Sequence, residues 1–267
     1  MVIIIFKDKL NFKDKEIPRI ILGSGPFTAE SYFGHRSRLY HLDLEINSDN
    51  VAEIINKAND CGIKAINLVN NENLIESYQK AEDTENIAVI GTVGKSKIDY
   101  VNPDYEKAKE VDWKKDIAIL SKFNCPIMLI DEFITDSYDW ELLEEILIEI
   151  KKQGSFAGII TSYPFKTTEK LIDSPILDLF DFYMIPVNKL GYMMDTESFM
   201  EEERKKLANL LKRLDKKIIV NKILACGIQM PEEAFVFLKT LKYVDMVAIG
   251  IASKKEAEID FKLLKDI

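Results

Sequence analysis

From Ile20 onward the chain repeats one unit eight times, a short apolar run rich in β-branched residues followed by a stretch with apolar positions three and four apart. The runs are 20–23, 63–69, 87–93, 126–130, 157–161, 180–187, 217–225 and 243–250, and the stretches that follow them are 50–61, 73–82, 113–123, 140–153, 166–172, 200–214, 232–241 and 254–264. Runs that are apolar at nearly every position fit strands covered on both faces, whereas spacing of three and four marks one face of a helix. Eight strand and helix pairs in 267 residues predict an α/β chain folded as a single (β/α)8 TIM barrel, one domain over 1–267. The competing arrangement is a doubly wound open sheet, because periodicity carries no strand order.

Two segments lie outside the repeat. Residues 1–16 predict an N-terminal hairpin in which Ile3 to Phe6 and Leu10 to Phe12 flank a turn at Lys7, Asp8 and Lys9, placed to plug the bottom of the barrel. The long insertion after the first barrel strand, 24–49, holds both histidines, His35 and His41, together with Arg36, Arg38, Tyr32, Phe33 and Tyr40. Tyr40, Leu42, Leu44 and Ile46 alternate with polar residues, so a half-buried strand is expected within a loop that covers the mouth. Asn50 with Glu53 reads as a capping box for the next helix, and Gly62 as its stop.

Charge narrows the partners. A formal charge of -9 and interleaved Lys and Glu leave no basic face for nucleic acid, so a small-molecule ligand is expected. Cys61, Cys125 and Cys226 share no CxxC spacing, which predicts no disulfide framework, no metal site and a cytoplasmic location. The apolar opening of the chain is broken by Lys7 and Lys9, so no membrane span is expected there. Oligomeric state is not written in these features.

A barrel of this kind gathers its site where the strands end and the following loops begin. Asn67, Thr92, Asp131, Thr161, Asn188 and Cys226 fall at such ends. Asp131, closing an apolar run, is the expected general acid or base. Lys222 interrupts another such run and shares side-chain parity with Val220 and Leu224, which predicts an electrostatic partner or a Schiff-base nucleophile. Gly250, Ser253 and Lys254 in the last loop, with Cys226 and Gly227 before it, predict a phosphate pocket at a helix N-terminus. His35, Arg36, Arg38 and His41 are expected to close over the ligand.

The segment Ile17-Pro18-Arg19-Ile20-Ile21-Leu22-Gly23-Ser24-Gly25-Pro26-Phe27 resembles the opening of the aldo-keto reductases. The likeness resumes in Phe180-Asp181-Phe182-Tyr183-Met184-Ile185-Pro186-Val187-Asn188, and again from Lys222 through Pro231-Glu232-Glu233-Ala234 to Gly250-Ile251-Ala252-Ser253. The resemblance implies a barrel with a bottom hairpin and carbonyl reduction with NADPH by an Asp, Tyr, Lys and His tetrad, in which Tyr protonates the carbonyl oxygen and Lys lowers its pKa. This chain departs from that set. Asn67 and Leu68 end the second strand, Asn71 and Glu72 stand where Tyr is expected, Lys95 lies beyond the Lys position, and Asp131 replaces His.

The sequence therefore predicts a divergent, tetrad-lacking barrel acting on a small phosphorylated or nucleotide-type ligand, with NADP as the cofactor the resemblance implies. A lyase or aldolase using Lys222 and a non-catalytic ligand-binding or scaffold protein are the alternatives.

Overall fold

A computed structural model describes residues 9–265. Strands β1 (Leu10–Phe12) and β2 (Lys15–Ile17) form an antiparallel hairpin. β3 (Ile20–Gly23), β4 (Ala65–Val69), β5 (Ala88–Val93), β6 (Ile127–Ile130), β7 (Phe156–Ile160), β8 (Phe182–Pro186), β9 (Lys217–Asn221) and β10 (Met246–Gly250) are parallel and close into an eight-stranded barrel when β10 pairs with β3. Closure excludes the open sheet. The helices are α1 (Arg36–Tyr40), α2 (Ser48–Asp60), α3 (Glu72–Lys80), α4 (Tyr105–Lys109), α5 (Trp113–Leu120), α6 (Glu132–Thr135), α7 (Trp140–Lys152), α8 (Lys166–Ile172), α9 (Glu201–Leu214), α10 (Pro231–Leu238) and α11 (Lys254–Lys265). None of the described helices is long and apolar enough to cross a membrane.

Strand parity sorts the apolar residues into two bodies. Ile21, Ala65, Ile90, Leu129, Phe182, Met184, Ile219 and Met246 fill the barrel, while alternate positions such as Ile66, Val89, Ile130, Tyr183 and Val220 pack against the helices. The hairpin closes the N-terminal end, where the Phe12 ring meets Phe156 and Phe182 edge-on at 5.0 Å. Inside the barrel Gly158 lets the neighbouring strands approach, since a Cβ there would stand 2.6 Å from the Phe182 carbonyl oxygen and 2.5 Å from Leu129. Gly158→Ala is expected to cost about 1–3 kcal/mol, read as a lower urea midpoint at unchanged slope. An unchanged midpoint would show that the strands shift apart freely.

Four local expectations change. The hairpin uses Lys13 and Asp14 as its turn, with Lys13 at φ 52°, and pairs Leu10–Phe12 with the strand after it; Ile3 to Phe6 lie outside the described residues. The stretch around Tyr40 to Ile46 is helical, α1 running into a single π turn over His41–Glu45. Apolar residues at every second position also place i and i+4 on one helix face, so Leu44 is buried and Tyr40 half-buried, whereas Leu42 and Ile46 face outward. Asn47, not Asn50, caps α2: its side-chain oxygen accepts the Asn50 N–H at 3.2 Å. Finally, β9 stops at Asn221, and Lys222 adopts φ 54° beyond it.

Candidate functional site

The strands that fill the barrel with apolar side chains end in polar ones at its C-terminal mouth. Asn67 follows Ala65 in parity, Thr92 follows Ile90, Asp131 follows Leu129 and Asn221 follows Ile219, so all four border one cavity of about 320 Å³. Asn67 ties two strand ends together, donating to the Ile90 carbonyl at 2.8 Å and to Thr92 Oγ1 at 2.9 Å while accepting from Ser24 Oγ at 2.8 Å. Asp131 is fully buried and caps α6, its Oδ1 accepting the Phe133 N–H at 3.1 Å. Its Oδ2 has no hydrogen-bond partner among the described residues and stands 3.5 Å from Lys95 Nζ.

Loops add the charge. Lys95 Nζ lies 3.3 Å from Glu30 Oε2 and donates to Tyr100 Oη at 3.2 Å, and Tyr100 in turn donates to Glu132 Oε1. Lys222, carried to the mouth by its left-handed backbone, places Nζ over the Tyr32 ring at 4.9 Å and the Tyr100 ring at 5.2 Å. Burial pulls against the Lys95 cation, but Glu30, Asp131 and Glu132 outweigh it and hold its pKa well above the ordinary lysine value. Burial also disfavours the Glu132 anion, yet Lys95, Lys222 and the Tyr100 hydroxyl win and bring it down to about 2. Asp131 goes the other way: burial, only partly offset by Lys95 and reinforced by Glu132, pushes its carboxyl well above the usual range. Of the adjacent Asp131 and Glu132, Asp131 is the one whose acid form is favoured.

The insertion covers this cluster. Arg36 of α1 reaches across the mouth and donates to the Gly227 carbonyl at 3.2 Å. Gly227 sits at φ +83°, a backbone conformation that favours glycine, and a Cβ there would push the Arg36 guanidinium aside.

Of the residues expected at the site, Asp131, Lys222, Asn67, Thr92, Cys226, Gly227, Gly250 and Arg36 border the cavity. The strand parity expected for Lys222 is not its route there, because Val220 faces the helices and a continuing strand would have carried Lys222 outward with it. Thr161 instead donates to Asp136 Oδ1 at 2.5 Å, part of a buried knot in which Ser162 N–H and Thr167 Oγ1 also donate to Asp136; burial pushes that carboxyl up to about 7. Asn188 shapes its own loop, accepting from Leu190 and Tyr192 N–H and donating to the Tyr192 carbonyl. His35, Arg38 and His41 are exposed on the outer side of the lid, and His41 Nδ1 meets Glu45 Oε2 at 2.8 Å.

The anion pocket expected in the last loop has the opposite charge. Lys254 points away to Glu53 at 2.6 Å, Ser253 Oγ accepts the Glu256 N–H, and Glu256 folds back onto the Ala252 N–H at 2.8 Å, so a carboxylate occupies the start of α11.

Sequence reasoning missed Glu30, Tyr100 and Glu132, and set Lys95 aside as misplaced. Glu132 follows Asp131 directly, and a second carboxylate at the end of an apolar run was a usable signal; Glu30 and Tyr100 sit in irregular loops with no pattern to mark them. No group of three or more His, Cys, Asp or Glu with metal-holding geometry occurs among the described residues. The three cysteines are free, and burial pushes the Cys226 thiol up to about 11, which leaves it a poor nucleophile.

No protein-family model and no curated protein sequence matches the chain. Solved structures do. The glycerol dehydrogenase AKR11B4 from Gluconobacter oxydans superposes with a TM-score of 0.61 at 13% identity, covering 97% of this chain and 94% of its own. An aldo/keto reductase from Klebsiella pneumoniae, solved in complex with NADP and acetate, gives 0.57 at 11% identity, covering 98% and 90%. The N-acetylmannosamine-6-phosphate 2-epimerase from Clostridium perfringens gives 0.52 at 14% identity, covering 93% of each. The chain thus has a (β/α)8 barrel similar in fold to those of the aldo-keto reductases.

Proposed function

We propose that this barrel is an enzyme acting on a small oxygen-bearing molecule by general acid–base chemistry, with Asp131 as the acid. The observation that carries the reading is Asp131 Oδ2: buried and without a hydrogen-bond partner among the described residues, on a residue that borders the covered cavity. A neutral carboxyl there donates its proton to a carbonyl or hydroxyl oxygen of the ligand, and the carboxylate so formed is held by Lys95 at 3.5 Å. Glu132 remains ionised beside Lys95 and Lys222 and keeps both cations in place.

Tyr100 does not take the acid's part, although it pairs with Lys95 as a carbonyl reductase's tyrosine would. Burial, Glu132 and Glu30 all raise its pKa, so its proton stays on the hydrogen bond to Glu132. Reduction with a nicotinamide cofactor therefore requires Asp131, not Tyr100, to protonate the carbonyl. The structural likeness to a reductase solved with NADP supports including that cofactor in the test. The phosphate once expected of the ligand has little support, since the last loop presents Glu256.

The reading is tested by following oxo acids, hydroxyketones and sugar phosphates by proton NMR, with and without NADPH. Conversion of at least one is expected. Binding across the panel with no conversion would leave a ligand-binding barrel instead.

The Schiff-base alternative is disfavoured by the aromatic seat of Lys222, because rings at 4.9 and 5.2 Å stabilise an ammonium and a Schiff base needs the free amine. Lys222→Arg is expected to keep turnover within about tenfold, since the cation is retained. Loss of all activity in that variant, together with a borohydride-trapped adduct on Lys222 in the wild type, would establish the covalent route.

A further inference from the structure

The cavity has a second end whose chemistry differs from that around Asp131. It is bordered by Gln229, from the turn after β9, by Glu256 and Asp260 on α11, and by Arg36 and Tyr40 of the lid. Gln229 is only 7% exposed, and neither its Nε2 nor its Oε1 has a hydrogen-bond partner among the described residues. Asp260 is only 5% exposed, and no ion pair or side-chain hydrogen bond to it occurs among the described residues. Glu256 and Asp260 stand four positions apart, hence on one face of the helix, and Glu232 at the start of α10 adds a third carboxylate to the field they create.

The cation nearest this end is already engaged. Arg36 is bound to the Gly227 carbonyl at 3.2 Å. Lys254, the other cation of this loop, is held by Glu53 outside the cavity. An unmet buried amide costs about 1–3 kcal/mol, and a buried carboxylate without a counter-charge costs more. Both residues border the same cavity, and both costs are relieved by the same kind of guest.

We propose that this end of the cavity is a subsite for the protonated amino group of a ligand. An ammonium placed here donates N–H bonds to the Asp260 carboxylate, with Glu256 adding to the attraction, and the buried Gln229 amide turns to offer Oε1 to the ammonium and Nε2 to an oxygen of the same molecule. An anion is repelled by the two carboxylates, and an apolar group leaves the amide unmet. Taken with the acid at Asp131, the ligand class is a small amine that also carries a carbonyl or hydroxyl group, such as an amino ketone or amino alcohol. The oxygen end of that description rests on the proposed function; the ammonium end stands on Gln229, Glu256 and Asp260 alone.

Burial, with Glu256 and Glu232 adding to it, pushes Asp260 up to about 6, so its titration can be followed directly. Carbon-13 NMR of the aspartate carboxyl groups in the intact chain, with ethanolamine or putrescine as probe and butanediol and succinate as neutral and anionic controls, provides the test. Saturation with either amine is expected to lower the Asp260 midpoint by about one pH unit, while the controls leave it in place. Asp260→Asn should weaken amine binding about tenfold or more, and amine binding should persist in Asp131→Asn. No shift with either amine, the same shift with succinate or butanediol, or undiminished binding in Asp260→Asn would each overturn the subsite. Because the titration needs no turnover, failure here with an intact effect of Asp131 on catalysis removes the subsite only, and the converse removes the acid only.

Discussion

Asp131→Asn is expected to lower turnover by about 10²–10⁴-fold, the usual worth of a positioned general acid. Asparagine keeps the shape of the side chain and can still accept the Phe133 N–H that starts α6, so the barrel should remain folded. What it lacks is a proton that can leave. The pH dependence follows from the direction of the shift: burial first, then Glu132, raise Asp131 above its ordinary value of 3.8, so the acid form persists upward in pH and the rate falls as pH rises through the raised pKa. Stability has the same sign. A carboxyl whose folded pKa is raised favours the fold fully below 3.8, and that contribution is lost as pH climbs toward the folded value. Wild-type protein should therefore lose stability over that window more steeply than Asp131→Asn, as followed by urea unfolding at a series of pH values. Equal turnover in the two proteins would sink the assignment of Asp131.

Lys95→Met is the substitution expected to cost most in stability, about 3–5 kcal/mol, because it removes one partner from a buried ion cluster and leaves the others in place. Lys95 lies 3.3 Å from Glu30 and 3.5 Å from Asp131, and donates to Tyr100 at 3.2 Å. Methionine fills most of the volume, so the loss is of charge rather than of packing. The carboxylate that depends on it most visibly is Glu132. Its folded pKa of about 2 lies below the ordinary 4.5, so it stabilises the fold above 4.5 and that contribution is lost as pH falls toward 2. Without Lys95 the Glu132 titration should move upward and the acid limb of stability should flatten. Adding Glu30→Gln to Lys95→Met should recover part of the loss, since one of the stranded charges is then gone. A single-variant change below about 1 kcal/mol would mean that water already reaches the cluster and screens it.

The barrel was legible in the sequence because strand and helix periods are local and repeated eight times. Asp131 was legible for a related reason: a charged residue at the end of a buried run stands out against its neighbours. Lys222 was found by a parity that the chain does not follow, since the strand ends one residue earlier and a left-handed turn redirects the side chain. Lys95, Tyr100 and Glu30 could not be found in this way. Their meeting depends on how two irregular loops fold over a closed barrel, and no period or spacing records that. The last loop misled because Lys254 and Ser253 have the composition of an anion site, while the residue that decides its charge, Glu256, sits one turn further on and folds back. In the lid, spacing of two looked like a strand because a strand and a helix both return to the same face after four residues.

Glu30, Lys95, Asp131 and Lys222 follow four different strands, and Lys222 comes to rest over Tyr32 although β9 and β3 never touch; β10 lies between them. Glu30, Lys95 and Asp131 meet within the run β3 to β6, so only the Lys222 part of the cluster waits on closure. A refolding chain would set Lys222 over the Tyr32 ring only when its final strand zips against its first, so the Lys222 share of the Glu132 shift serves as a clock for ring closure, the slow non-local event in such a topology. Secondary structure should return early in that experiment, and the seat of Lys222 on the aromatic rings should be the last thing the molecule regains.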